Sequence, residues 1–356
     1  TTGYGGDFGE RTHDGDFVID GLVSADRVPR PQLADLAAVF APVALEFDGD
    51  AVVARSRRDH LDTRDLALRW RIARGAEPDA TAGELSLAPL APRDTGRATL
   101  PPRALQLAPG ETLEVFVAQR DATAWAEAGY VVARIARSSA ALPAPLPVRS
   151  LGLEALDLDP RTGAVRRLGS VPVEDWRLEL WRAPTSNDRE PADDRPELPA
   201  AAARWAAQGL DRLTSRLVSI DRTPDAVAVR TRIGAAGVDT GVDVTWRWTA
   251  ADNGLRLELD VEPFGPSELE WGQGPVEWAR VGVSFALRPG IDDVQWHGRG
   301  PGPAYPDTGA AAVPGTYRAT VAELAERTVR PQEAGSRAEV RRARLRRDDE
   351  PVVEID

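Results

Sequence analysis

Residues 296–307 read Trp-His-Gly-Arg-Gly-Pro-Gly-Pro-Ala-Tyr-Pro-Asp, from Trp296 to Asp307, and hold three Gly and three Pro in twelve positions. Gly costs backbone entropy and Pro offers no N–H, so the run predicts a shaped loop rather than a helix or a central strand. Before it lies a strand-like run, Trp278–Leu287. After it come a short helical pattern and the segment Arg330-Pro331-Gln332-Glu333-Ala334-Gly335. An ordered, aromatic-flanked loop leaving a strand is a common way to build a rigid site wall.

Further upstream, Trp176–Leu180 and Leu255–Val261 alternate apolar with charged residues. Such period-two runs predict antiparallel strands with one wet face. Leu198–Gln208 is a helical pattern closed by Gly209 in the position of a C-terminal cap, and Asp157–Gly163 is a strong turn signal. Between Val43 and Ser139, short apolar runs (Val52–Ala54, Ala67–Ile72, Leu113–Val117) are separated by turn-rich stretches at 46–50, 74–78 and 107–111. That spacing predicts an immunoglobulin-like β-sandwich. Ala140–Val148, with three Pro in nine residues, reads as an extended linker. Pro31–Phe40 places Leu33, Leu36, Ala37 and Phe40 at i, i+3, i+4 and i+7, an amphipathic helix with Pro near its start. Asp16–Val23 is a short apolar run that reads as a buried strand leaving its sheet at Asp20-Gly21, where Asp20 by itself is a turn-forming acid.

The 356 residues allow two or three domains, and 42% hydrophobic residues suit a globular chain. All 44 basic residues are Arg, spread along the chain rather than gathered in a patch, and the net charge of −12 argues against nucleic acid as a partner. Absence of Cys removes disulfides, thiolate catalysis and zinc–thiolate sites. No run approaches the roughly 18 apolar residues of a membrane span, so no membrane is expected as a partner. Composition leaves the compartment open, and the cytoplasm is the expectation carried forward. The chain starts at Thr1, has no Met, and ends in a strand pattern at Glu350–Asp356. These features predict an internal piece of a longer protein.

Chemistry is sparse. His13, His60 and His297 lack the spacing of a metal site and read as loop or surface residues. The acid runs Asp193-Asp194, Asp292-Asp293 and Asp348-Asp349-Glu350 read as solvated loop charges. Without Lys there is no phosphate-binding Gly-rich loop of the Gly-Lys type, and Gly-x-Ser-x-Gly does not occur.

Three stretches together resemble one family. Trp296-x-Gly-Arg-Gly-Pro-x-x-x-Tyr305-Pro-Asp307 with Arg330-Pro-Gln-Glu-x-Gly335 is similar to the C-terminal β-sandwich of long bacterial β-galactosidases, glycoside hydrolase family 2. The run from Gly6 to Arg27 resembles the end of that family's (β/α)8 barrel, and Leu180-Trp-Arg-Ala-Pro-Thr-Ser-Asn-Asp-Arg189 a loop motif at its active-site mouth. Asp121–Tyr130 matches the family's sandwich domain, with Trp125 expected as a core or inter-domain anchor rather than a sugar platform. Departures fall at Ser186 and Glu190, at Pro303-Ala304 where the family has Glu-Asn, and at Ala334 where it has Asn.

The resemblance implies a mainly β chain. It would comprise a barrel remnant (1–40), an immunoglobulin-like β-sandwich (41–139), a linker (140–149) and a large antiparallel supersandwich, the small-chain sandwich (150–356), incomplete at its end. It implies a β-galactoside as the sugar partner and allows a homo-oligomer. Asn187 and Asp188 would lie on the substrate-site rim, where the plain reading has them bonding backbone to start a loop. Phe17, through its carbonyl, and Asp20 would help hold a monovalent cation, Na⁺ or K⁺, as an all-oxygen site suits a hard ion. Mg²⁺ is allowed through residues outside this chain. Retention needs two carboxylates about 5 to 5.5 Å apart. In the family both are Glu on earlier barrel strands, so none of the catalytic pair is expected here. A non-catalytic carbohydrate-binding scaffold using some of the ten Trp is the rival reading, and a mutarotase, which needs a paired His and Glu, a weaker one.

Overall fold

The computed structural model describes residues 3–15, 19, 21–74, 77–142, 145, 151–192, 195–269, 274–326, 328, 332–348 and 350–356. Two units are present: Thr1–Ala144 with Asp292–Val329 and Ala334–Asp356, and Pro145–Ile291 with Arg330–Glu333.

In the first unit, α1 (Pro31–Val39) starts at Pro31 as its sequence requires, because Pro lacks an N–H that the first helical turn would leave unpaired anyway. Its apolar stripe covers no core: no residue of the helix is buried, and Phe40 is 76% exposed. Periodicity fixed the apolar side of this helix but not what would cover it. Seven strands follow: β1 (Val43–Asp48), β2 (Ala51–Ser56), β3 (Leu66–Arg74), β4 (Glu77–Glu84), β5 (Thr95–Thr99) and, after the short α2 (Pro102–Leu105), β6 (Glu111–Gln119) and β7 (Val131–Ser138). They form a three-stranded sheet β1-β2-β5 and a four-stranded sheet β4-β3-β6-β7, with antiparallel pairing throughout. The sandwich core holds Val52, Leu68, Trp70, Ile72, Leu113 and Val115. Burying each such side chain contributes about 1.5–3 kcal/mol before chain entropy is counted. Trp125 is not part of that core. It lies in the loop between β6 and β7, 65% exposed, with its ring edge-on to Tyr130 at 5.5 Å.

The second unit contains β8 (Leu156–Leu158), β9 (Val165–Leu168), β10 (Val171–Glu179), α3 (Ala201–Ala207), β11 (Thr214–Arg222), β12 (Ala226–Gly234), β13 (Gly241–Ala251), β14 (Gly254–Phe264) and β15 (Gly282–Leu287). Two four-stranded sheets result, β15-β10-β9-β8 and the meander β11-β12-β13-β14. Alternation decides the inner face: Val227, Val229 and Ile233 of β12 and Val242, Val244, Trp246 and Trp248 of β13 are all buried. Trp176 of β10 meets Trp246, Trp248 and Phe285 at ring-centroid distances of 5.6–5.8 Å. The Trp246 indole N–H donates to Thr231 Oγ1 at 3.0 Å, which removes the cost of burying a polar edge. Gly209 ends α3 at φ +66°, and a Cβ there would sit 2.3 Å from that of Ala235. Chirality and space both demand glycine at this cap.

Returning to the first unit, the chain forms β16 (Asp293–Gly300), β17 (Val313–Thr320), α4 (Val321–Leu324), β18 (Arg342–Arg347) and β19 (Glu350–Ile355), in the order β17-β16-β18-β19. This corrects the loop expected from Trp296 onward: Trp296–Gly300 is strand, paired with β17 throughout and with β18 as far as His297, and the loop begins only at Pro301. Its glycines serve close approach rather than turning. A Cβ at Gly298 would lie 2.8 Å from Val340 Cα and 2.9 Å from the Glu339 carbonyl oxygen. His297 is likewise not a surface residue but only 4% exposed, its Nδ1 2.8 Å from Thr316 Oγ1.

Candidate functional site

The loop after β10 carries the two rim candidates, and the structure gives them different tasks. Asp188 faces inward. Its carboxylate receives a two-pronged contact from Arg182, whose Nη1 and Nη2 donate at 2.5 and 2.9 Å, and Thr185 donates to it from both its N–H (2.7 Å) and its hydroxyl (2.8 Å). Burial raises the Asp188 pKa, but the Arg182 and Thr185 donors outweigh it and hold the group below the usual carboxylate range. A carboxylate engaged by four donors is an anchor, with little capacity left for a ligand. Asn187 beside it is exposed, in the 3₁₀ turn Asn187–Arg189. Its amide, both donor and acceptor, suits sugar hydroxyls.

Behind this loop, the central carbon of the Arg182 guanidinium lies over the Trp205 ring of α3, 4.9 Å from its centroid. Neighbouring Arg204, 8% exposed, donates to Glu277 at 2.6 Å and to the Pro199 carbonyl. Two further segments, one from the strand-like run and one from the Arg330–Gly335 motif, close on the same place. The Leu180 carbonyl accepts from the N–H groups of Ala279 and Arg280, Arg280 Nη2 donates to Glu333, and the Glu333 N–H donates to the Ala183 carbonyl at 3.1 Å. Residues 180–189, 279–280 and 333, far apart in sequence, are thus one hydrogen-bonded assembly. Arg182 and Glu333 stand in the sequence as motif residues with no role that spacing alone would assign. Trp205 appeared only inside a helical pattern, where nothing distinguishes a stacking platform from a core residue.

The glycine- and proline-rich segment builds a different kind of structure. Arg299 Nη2 donates to the carbonyls of Gly309 (2.9 Å) and Ala312 (2.7 Å), and Trp296 Nε1 donates to the Arg299 carbonyl at 3.0 Å. The Ser336 N–H donates to Tyr305 Oη, and the Ala304 N–H to the Ser336 carbonyl. The motif Arg and Tyr therefore pin residues 301–312 rather than reaching outward. Asp293, one of the paired acids, accepts from Arg318 at 2.9 Å, with Arg346 at 3.6 Å. It is an ion-paired strand residue.

The cation candidates Phe17 and Asp20 lie outside the described residues, as do Asp193, Asp194, Arg330, Pro331 and Asp349 and most of the 140–149 segment. Among the described residues, no group of three or more His, Asp or Glu could hold a metal ion. No helix among them is long and apolar enough to cross a membrane.

The sheets are antiparallel throughout and the motif loop is anchored by Asp188 and Arg182, and comparison with known proteins gives the family. The chain matches the models described as β-galactosidase small chain over residues 155–355, β-galactosidase domain 4 over 52–136, and glycosyl hydrolases family 2 TIM barrel domain over 1–45. It belongs to the β-galactosidase small-chain family within glycoside hydrolase family 2. It is 34% identical over 385 residues to the β-galactosidase of Arthrobacter sp. (strain B7), covering 99% of this chain and 37% of that protein. It is 29% identical to that of Aeromonas hydrophila (96% and 35% covered) and 26% identical to that of Kluyveromyces lactis (85% and 29%). The chain thus spans 29–37% of the length of these curated relatives.

Proposed function

We propose that this chain is part of a β-galactosidase that removes terminal non-reducing β-D-galactose from lactose-type substrates with retention, and that it contributes rim and scaffold to the site. The observation that supports this best is the order of the three family matches, barrel end, domain 4 and small chain, along nearly the whole chain. In this reading, 1–40 closes a barrel, 41–139 is the immunoglobulin-like domain, 140–149 a linker and 150–356 the small-chain sandwich. Retention requires a general acid/base and a nucleophile. In this reading both carboxylates lie on earlier barrel strands, and the barrel-domain match to this chain is confined to residues 1–45. The chain's own part is to present Asn187 on a loop that Asp188 and Arg182 fix. A monovalent cation held by the Phe17 carbonyl and the Asp20 carboxylate, both hard oxygen donors, would supply positive charge beside the sugar.

The test compares two proteins on a chromogenic β-galactoside. The complete gene product turns it over with retention, and the 356-residue chain alone does not. Turnover by the isolated chain would place the chemistry here, and a complete product inactive on galactosides but binding them would favour the carbohydrate-binding scaffold.

A further inference from the structure

We propose that Arg182 is the positioning residue of the rim, and that the Trp205 face is what makes it effective. This rests on the reading of residues 185–189 as site rim. The guanidinium is held on two sides: its fork grips Asp188 at 2.5 and 2.9 Å, and its central carbon lies over the Trp205 indole, 4.9 Å from the ring centroid. Its Nη1 also donates to the Ala183 carbonyl at 3.3 Å, which accepts the Glu333 N–H as well. The two ends of the loop are therefore tied through one side chain. Neither tie works alone. Asp188 fixes the distance between Arg182 and the 3₁₀ turn, and contact with Trp205 limits how far the guanidinium can tilt about that two-pronged pair. Trp205, 5% exposed, supplies a rigid seat, and its helix is braced by the Arg204–Glu277 pair. Around this clamp Ser186, Asn187 and Arg189 are exposed, and of these Asn187 is the rim candidate.

The clamp explains the choice of Arg. Lysine at 182 would keep the charge yet lose both the planar fork and the stacking surface. Trp205 is similarly specific for its flat face and not merely for its volume.

The proposal is tested on two independent readouts. Hydrogen exchange of residues 185–189 in the 356-residue chain reads the clamp itself. Arg182→Lys and Trp205→Leu speed exchange there by about tenfold or more, while Trp205→Phe stays near wild type. In the complete enzyme, the same two variants raise KM for a β-galactoside about tenfold with kcat less affected, and Trp205→Phe recovers most of the loss. Unchanged exchange in Arg182→Lys overturns the clamp. Faster exchange with KM unaltered overturns its positioning role. Equal KM losses in Trp205→Phe and Trp205→Leu reduce Trp205 to core volume. A wild-type enzyme without galactosidase activity overturns the proposed function instead, and the exchange experiment still decides the clamp.

Discussion

The Tyr317 ring occupies the space that a side chain at Gly300 would need: a Cβ there would meet Tyr317 Cδ2 at 2.6 Å. The same ring sits 5.5 Å from that of Trp296, its cross-strand partner, and its hydroxyl donates to the Val313 carbonyl at 2.8 Å. Burial pushes the hydroxyl pKa up to about 12, so it remains a donor at every working pH. A strand poor in side chains is thereby roofed by one aromatic from its neighbour.

Two substitutions separate the roles in this strand. At Gly298 the obstruction is backbone, Val340 Cα at 2.8 Å, so Gly298→Ala is expected to cost about 1–3 kcal/mol, as overpacked sites do. Tyr317→Phe leaves the Val313 carbonyl without this donor and is expected to cost about 1 kcal/mol. Urea midpoints at constant slope measure both. A neutral Gly298→Ala would mean that the 339–340 backbone yields.

His297 makes stability depend on pH. Burial first, then Arg341 and Arg342, hold its pKa below the ordinary 6.5. Its cross-strand neighbours are Thr316 and the buried, cationic Arg342, so no carboxylate is paired directly opposite it. The folded state thus binds fewer protons than the unfolded chain, and the associated stability is present above about pH 6.5 and lost as pH falls below it. We expect the stability difference between wild type and His297→Asn to shrink between about pH 7.5 and about pH 5.5. A difference independent of pH would show that the imidazole binds its proton equally well in the folded and unfolded chain.

Exposure ranks the tryptophans. Trp125→Ala, at a site 65% exposed, is expected to cost no more than about 1 kcal/mol, the scale of its contact with Tyr130. Trp70→Ala, at a site 8% exposed in the sandwich core, is expected to cost about 3–5 kcal/mol. Thermal melts of the two variants check this, and a comparable loss for both would give the β6–β7 loop a packing role.

In the complete enzyme, Asp20→Ala is expected to weaken activation by Na⁺ or K⁺ and to raise KM for galactosides together. Titrating activity against each chloride salt at fixed ionic strength reads this out. A full response to either ion would leave Asp20 as a turn residue.

Short apolar and alternating runs were legible as strands: the apolar run Leu113–Val117 falls in β6, the alternating run Trp176–Leu180 falls in β10 up to Glu179 and Leu255–Val261 falls in β14, and Gly209 caps α3 as its position after Gln208 suggested. Alternation reports a solvent boundary, and β14 lies on one, whereas β6 is buried on both faces and was legible only as an apolar run. Trp296–Gly300 was misread because composition counts Gly as a breaker, whereas here it admits the neighbouring backbone and the Tyr317 ring. His297 was misread with it, since a residue in a loop is presumed wet and one in an inner strand is not. The Arg182–Trp205 stack could not be found from sequence at all, because nothing in a run of residues specifies which helix face meets a loop 20 positions earlier.

The first unit is interrupted. The chain leaves it at Ala144 and re-enters at Asp292, and the second unit is built almost wholly from what lies between. Contacts within the first unit accordingly span the interruption: Asp35 accepts the Ala311 N–H across 276 positions, and Arg134 donates to the Ala311 carbonyl across 177. Order of synthesis then becomes order of assembly. A ribosome delivers nearly all of the second unit before the strands β16–β19 that finish the first, so the earlier sandwich must wait with one surface unmatched while its successor folds. Closing so long an intervening loop costs only a few kcal/mol once that loop is already compact. The second unit acts in this sense as a spacer that shortens itself, and slowing its folding would delay a part of the molecule in which it has no share.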